Sequence, residues 1–509
     1  MEYTSSKAAG LGAEIKVEVE KHKGDLESQQ SKESIQSKPT EYAEIVSKAY
    51  EFFPTFKRLF VDLILSYKNR EDSQKYFEVL EFKDAYKLIE IELSWMYEIL
   101  HSKASVIFAY KHYGWISRMF TLVITIAALI LFIIFPKHSK YGWFDNTLTY
   151  VLLGGAILLE FTAFIFMLLS FWTYAAIKES GGCFGLADLL FSLQKKLRPP
   201  EQSRWSDKMA QYSLITYSLQ DQPSWWKPIM KFFGLKETWD HYRYATYVIV
   251  SEALKKQVFQ ELTKKMKSIE DRASYKRVTE HRGQWALQRM GYYQEFGWSV
   301  EAEFDESILL WHIATDLLFH DTINENGTTE DDRLISQHIS NYMLFLLIVR
   351  PFMMPAGIGQ IRFGDTCAEA RNFLQSEDNI EVIGAVKKIL GVSTDYDPGL
   401  VKGDRSKSVL FNGCRLAHQL KKEFTDDDKQ NREEYKKVNW DRMWRLIRAV
   451  WVEMLCYAAS KCSGQYHAKQ LSKGGELLTV VWFLMAHLGM GEQYRIEEGH
   501  ARAKLIVAK

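Results

Sequence analysis

This sequence predicts a mainly α-helical chain: a two-span transmembrane hairpin, a large cytosolic all-α body and a small C-terminal helical domain. Three observations carry the reading. Two long apolar runs, 119–135 and 148–177, hold a single charged residue between them, Glu160. Elsewhere apolar side chains recur at three- and four-residue spacing, the period of a helix with one buried face. Finally, 65 Lys and Arg stand against 64 Asp and Glu across 509 residues, so no global field steers the chain to nucleic acid. The slightly polar mean hydropathy also argues against a many-pass transporter.

Residues 1–40 are rich in Lys, Glu, Ser and Gln. Such a stretch cannot bury enough apolar surface to offset its ordering entropy, and a disordered tail is expected. It has no apolar core of the kind a cleavable signal peptide needs. A helical juxtamembrane region, 41–115, follows, marked by Phe53, Phe56, Leu59, Phe60 and Leu63, then by Glu90-Ile-Glu-Leu-Ser-Trp95.

The hairpin occupies 116–178. Its first run is 17 residues long, about 25 Å of helix, which crosses a hydrocarbon core of about 30 Å if Arg118 and Lys137 reach to the headgroups. Pro136 ends it. Trp143, Tyr150, Trp172 and Tyr174 stand where interfacial aromatics belong. Lys103, Lys111 and Arg118 precede the pair, and Lys178, Lys195, Lys196, Arg198 and Arg204 follow it, against Lys137 and Lys140 between. That excess puts both flanks in the cytosol and the connecting loop outside.

The helical body spans 179–375. Within it, Trp225–Lys236 mixes aromatics with lysines, as suits either a headgroup-lying segment or core packing. Tyr342–Val349 is too short to span and reads as a buried helix. A loop-rich connection is expected over 376–437, and a C-terminal helical domain over 438–500. There Met443, Ile447, Val450, Trp451, Met454, Leu455 and Ala458 form one stripe, and a second helix opens after Ser472-Lys-Gly-Gly and runs to Leu488. The cysteines Cys183, Cys367, Cys414, Cys456 and Cys462 lack zinc-site spacing and read as reduced thiols. Cys183 lies where palmitoylation is possible, though an unmodified thiol is the simpler reading.

Three stretches are distinctive as words: Phe304–Asp316, Ser340–Phe352, and Trp451–Ala459 with His467–Thr479 and Met485–Gly489. Together they resemble the plant membrane proteins that pair a domain of unknown function numbered 4220 with a C-terminal one numbered 594. The resemblance covers most of the chain beyond about residue 45 and implies no reaction. Such proteins usually begin with several more membrane helices, so a shortened form is implied here.

The best chemical candidate is the helix around residue 312. At about 100° per residue, Asp305, His312, Asp316 and His320 fall in one polar stripe among large apolar residues. His312 and Asp316, four apart, are candidate ligands for a divalent metal, the one cofactor in view; a hydrogen-bonded structural pair is the commoner outcome of this pattern. Glu160 is the intramembrane polar candidate, expected to be protonated or bonded to Thr121 or Thr125. Among His467, Glu476 and His487, Glu476 suits a first helical turn, and His487, eleven residues further along the same helix, stands too far from it to share one ion. Asn326-Gly-Thr328 is a glycosylation sequon that a cytosolic loop leaves unused. No hydrolase elbow, kinase set or phosphate loop occurs.

These residues favour a membrane-anchored interaction or regulatory scaffold at the plasma membrane or an endomembrane. Its partners would be the lipid bilayer and other proteins, with no nucleic acid. Two alternatives stand beside it: a membrane-tethered metal-dependent enzyme using His312 and Asp316, and an oligomeric channel or transporter subunit with Glu160 in its pore.

Overall fold

The computed structural model describes residues 42–63, 65, 67–102, 112–134, 142–179, 184–197, 199, 202–219, 245–269, 279–322, 330–374, 381–394, 408–425 and 439–490. The polar tail, the 225–236 segment, Cys183 and the Asn326 loop lie outside these residues. The described chain is mainly helical, with one pair of short strands.

Helix α1 (Tyr42–Phe56) carries Pro54 near its end, and the chain tightens into a 3-10 turn at Lys57–Val61. Helices α2 (Tyr67–Val79) and α3 (Phe82–His101) follow. The α3 face made by Ala85, Leu88, Ile89, Ile91 and Trp95 is buried, and Trp95 packs edge-on against Phe53 of α1.

Helices α4 (His112–Ile134) and α5 (Trp143–Leu168) are long and apolar enough to cross a membrane. Arg118 meets Glu160 at one end of the pair and Phe132 meets Tyr150 at the other, so the two run antiparallel. Their apolar sides face outward rather than into the core: Ile133, Val151, Leu159 and Phe166 are exposed, and in α5 only Met167 is buried.

The second apolar run does not continue as one helix to residue 177. It breaks after Leu168, where Ser170 Oγ accepts a hydrogen bond from the Trp172 amide and Thr173 Oγ1 donates to the Met167 carbonyl. A separate helix, α6 (Phe171–Glu179), then turns into the body. Phe171, Thr173 and Tyr174 are buried there, with Phe171 against Tyr42 of α1. Hydropathy alone could not separate these residues from the hairpin, because they are apolar for a different reason: they are core. Helix α7 (Phe184–Leu197) returns along α6.

Strand β1 (Lys208–Gln211) leads to α8 (Leu214–Leu219) and pairs antiparallel with β2 (Thr246–Ile249). The body then winds through α9 (Glu252–Lys267), α10 (Gln284–Met290), α11 (Tyr293–Glu301), α12 (Phe304–Asp321) and α13 (Glu330–Val349). Helix α12 is its axis, with every residue from Ile308 to Leu318 buried. Helices α14 (Gly359–Leu374), α15 (Val382–Leu390) and α16 (Val409–Glu423) cover it. A Cβ on Gly413 of α16 would stand 2.7 Å from Ile313 Cβ, so the missing side chain is what lets these two helices approach.

Helices α17 (Trp440–Lys461), α18 (Gly464–Leu471) and α19 (Leu477–His487) close the described chain. The stripe read from the sequence is wholly buried on α17. All of α19 is buried too, against the opening helices: Phe483 meets Phe56 and Trp482 meets Phe60. Gly464 seats α18 on the 3-10 turn, donating its amide to Asp62 Oδ1 at 2.8 Å, and a Cβ there would lie 2.1 Å from the Leu59 carbonyl oxygen. First and last described helices therefore share one core.

Candidate functional site

The concave site of richest chemistry among the described residues lies where α3, the loop before β1, and the α18–α19 turn meet. Glu90 and Glu92 interrupt an otherwise apolar face of α3, and a buried carboxyl must find partners. Glu90 accepts hydrogen bonds from the Arg204 amide at 3.1 Å, the Trp205 indole at 3.2 Å and Ser203 Oγ at 3.3 Å. This clamps loop 203–206 to the helix. Arg204 continues outward, its guanidinium 4.0 Å over the Phe171 ring and 3.1 Å from the Tyr42 hydroxyl.

On the opposite wall the chain turns sharply at Gly474 and Gly475, with φ of 95° and 80°, a left-handed region that side-chain-bearing residues rarely enter. The Ser206 amide donates to the Gly474 carbonyl at 3.0 Å, tying the two walls together. Between them lies a cleft of about 380 Å³, lined by Glu90, Tyr97, Trp205, Gly474 and Glu476 among others. Glu476 stands at the N-cap of α19 rather than in its first turn. It accepts from the Tyr342 hydroxyl at 3.1 Å and faces Arg350 at 3.9 Å.

Burial raises the pKa of both carboxyls. For Glu90 it outweighs the Arg204 amide and the Lys255 ammonium; for Glu476 it outweighs Arg350 and Tyr342. Two carboxyls that bind protons more tightly than usual, with a half-exposed Tyr97 at the edge, suit a ligand presenting hydrogen-bond donors or a cationic group.

Residues 5–217 match the family model for a domain of unknown function, DUF4220, and residues 436–490 match that for a protein of unknown function, DUF594. This is a DUF4220–DUF594 protein. No curated protein and no solved structure matches it. The DUF4220 match reaches back to residue 5, into the polar tail, and two of the distinctive words, 304–316 and 340–352, fall between the matched stretches. The cleft takes one wall from DUF4220 residues, Glu90 and Arg204 included, and the other from DUF594 residues including Gly474 and Glu476.

The metal candidates His312 and Asp316 lie deep under α13 and the β1–α8 connection. His312 Nε2 accepts from the Leu214 amide at 3.2 Å, and its Nδ1 sits 2.9 Å from Ser340 Oγ. Burial lowers the imidazole pKa against the pull of Asp316. Asp316 takes the Ser213 hydroxyl at 2.9 Å and has His320 Nε2 at 3.6 Å. Burial pushes its carboxyl up, but His320, His312 and Ser213 together leave it below the ordinary value. Asp305, on the same stripe, turns instead to Arg362 at 2.6 Å and the Ile358 amide at 3.1 Å. No cluster of three or more His, Cys, Asp or Glu suited to a metal ion occurs among the described residues.

Glu160 pairs with Arg118 at 3.1 Å, while Thr121 and Thr125 donate to backbone carbonyls of their own helix. The expected threonine partners thus give way to an arginine placed one antiparallel neighbour away. With α5 ending at Leu168, Glu160 also lies in the last third of its helix rather than midway.

Glu453, His467 and His487, all on the C-terminal helices, do not converge on one site. Glu453 caps α10, accepting from the Trp285 and Ala286 amides at 3.3 and 2.7 Å. His467 stacks on Trp482 and contacts Thr479 Oγ1 at 3.0 Å, with burial lowering its pKa to about 3. His487 lies in an aromatic box, stacked on Phe56 at 3.7 Å and Phe77 at 4.7 Å. Its Nε2 is 2.7 Å from Glu92 Oε2 and its Nδ1 2.8 Å from Ser73 Oγ. Burial raises the Glu92 pKa far up and drives the His487 pKa far down, so the proton rests on the carboxyl and the pair is neutral. From the sequence, Glu90 enters only through its helical pattern and Arg204 only through the flanking charge, neither as a site residue; the legible signal is two carboxylates set between Ile89, Ile91 and Leu93 on one helix.

Proposed function

We propose that this protein is a membrane-anchored interaction or regulatory scaffold of a plant plasma membrane or endomembrane, with α4 and α5 spanning the bilayer and the body in the cytosol. The cleft between its DUF4220 and DUF594 walls receives a protein partner. The observation that carries the reading is the contrast between an outward-facing apolar hairpin and the helix that follows it, which is locked into the body through Phe171 and Tyr174. A long apolar surface facing outward needs a cover, and two adjacent helices of this length are matched by a bilayer. Because α6 is core, a partner held in the cleft would be held close to that membrane: Arg204 joins the cleft loop to Phe171, three residues past the hairpin. The plant setting and the cytosolic side follow from the resemblance and the positive-inside pattern read from the sequence.

The test uses the full chain in membranes. Alkaline carbonate should leave it in the pellet; release into the supernatant removes the anchor. A photo-crosslinking residue at Tyr97, exposed at the rim of the cleft, should give a discrete polypeptide adduct, whereas one at exposed Ile383 should not. Equal labelling at both sites, or none at Tyr97, removes the partner cleft.

A further inference from the structure

Helix α7 has three distinct sides. Phe191 packs inward against Tyr174 at 4.6 Å, Tyr42 at 5.9 Å and Phe171 at 6.2 Å, with Gln194 buried beside it. Asp188, Ser192, Lys195 and Lys196 make a polar side. The third side is a leucine ridge. Leu189, Leu193 and Leu197, four residues apart, span an arc of about 80° and are 56%, 44% and 69% exposed. No helix of the described body covers that ridge, although the same helix buries its opposite face.

Position decides what covers it. Phe171 follows the last residue of α5 by three positions, and its ring meets Phe191 in the second half of α7. Leu193 and Leu197 therefore follow directly on the stretch of α7 that meets the start of α6, and the hairpin's own apolar surface is exposed as they are. Lys195 and Lys196 flank the ridge, and Arg204 sits on Phe171. Leucines facing one way with lysines along their edge is the pattern of a helix lying in a lipid headgroup layer, cations toward phosphate and apolar side chains toward acyl chains.

We propose that α7 is an interfacial helix, its Leu189–Leu193–Leu197 ridge sunk into an anionic lipid surface beside the hairpin. The proposal rests on the hairpin crossing that membrane. With a rigid hairpin–α6 corner and a second attachment along α7, the body would be held at one tilt rather than swinging from two helices.

The experiment places an environment-sensitive fluorophore at single sites of the full chain, reconstituted in vesicles of phosphatidylcholine and phosphatidylserine. The sites are Leu193→Cys, Leu197→Cys, Asp188→Cys and, within the hairpin, Ile124→Cys, each with Cys183→Ser; the other four cysteines are buried. Lipids carrying a nitroxide near the headgroup should quench positions 193 and 197 severalfold more than 188, and a deep nitroxide should quench 124. Quenching at 124 with 193 no different from 188 overturns the interfacial helix and leaves the anchor standing. Absence of quenching at 124 overturns the anchor itself, and this proposal with it. A blue-shifted but unquenched signal at 193 means that a protein surface, or a second copy of the chain, covers the ridge, which also overturns the proposal.

Discussion

Helices α5 and α19 are both almost purely apolar, and they meet opposite fates. All eleven residues of α19 are buried among the opening helices, whereas of the 26 residues of α5 only Met167 is. Length accounts for part of the difference, since eleven residues make about 16 Å of helix and cannot cross a bilayer. The ionisable groups show the rest. Glu160 is paired with Arg118 at 3.1 Å, toward one end of the α4–α5 pair. His487, sealed between Phe56 and Phe77, is matched to a carboxyl that surrenders its charge. An apolar helix tolerates a polar group by pairing it in both settings, but only the sealed core requires the pair to be neutral.

The largest expected effect breaks the sealed pair. His487→Ala leaves Glu92 without its partner, while Ser73 keeps only the residue-487 carbonyl as acceptor, and opens a void between two stacked phenyl rings; about 3–5 kcal/mol of unfolding free energy should be lost. Glu92→Gln, whose amide can still donate to His487 Nε2, should cost about 1 kcal/mol. Denaturant unfolding of the full chain in detergent measures both, and equal losses would mean the two side chains do not form a neutral pair.

His312→Ala offers a buried imidazole with no carboxyl on either nitrogen. Losing its bonds to the Leu214 amide and Ser340 should cost roughly 1–3 kcal/mol through the unsatisfied amide. Metal content measured alongside gives the enzyme reading its chance: about one tightly held divalent ion per chain, lost in both His312→Ala and Asp316→Ala, would establish it.

A finer prediction concerns pH. Glu92 holds its proton in the folded chain far above its ordinary value of 4.5, so its contribution to stability is complete below about 4.5 and declines as pH rises toward the folded pKa. His487 stays neutral far below its ordinary 6.5, so its contribution is complete above 6.5 and declines as pH falls. Between 4.5 and 6.5 the two slopes oppose each other; above 6.5 only that of Glu92 remains. Wild type should therefore lose stability relative to Glu92→Gln as pH rises above 6.5. Parallel pH profiles of the two proteins would sink the neutral-pair assignment.

The smallest effect belongs to the hairpin. Glu160→Gln should change stability by less than about 1 kcal/mol, because the amide oxygen still accepts from Arg118 and that arginine lies near the helix end. A loss comparable to that of His487→Ala would mean that Glu160 is as sealed as the core pair, and would erase the contrast.

Much of this was legible along the chain. The hairpin announced itself through uncharged length, and the α17 stripe through its spacing. The break at Ser170 was not legible, because Phe171 and Tyr174 are as apolar as lipid-facing residues and only their burial against α1 separates them. The polar stripe on α12 could be seen, but its partners could not: Ser340 lies 28 residues away and the Leu214 amide 98. The cleft was invisible for the same reason, since its walls come from opposite ends of the chain.

By itself, then, the amino-acid sequence determined the helical class, the outward-facing apolar pair and the helices that must bury one side, because periodicity, charge and run length are local quantities. Tertiary structure alone decided which apolar residues became core, that Glu160 would find Arg118, and that Glu92 would meet His487. Those outcomes depend on which helices lie side by side, and a pairing energy exists only once two distant segments have been brought within a few ångströms of each other.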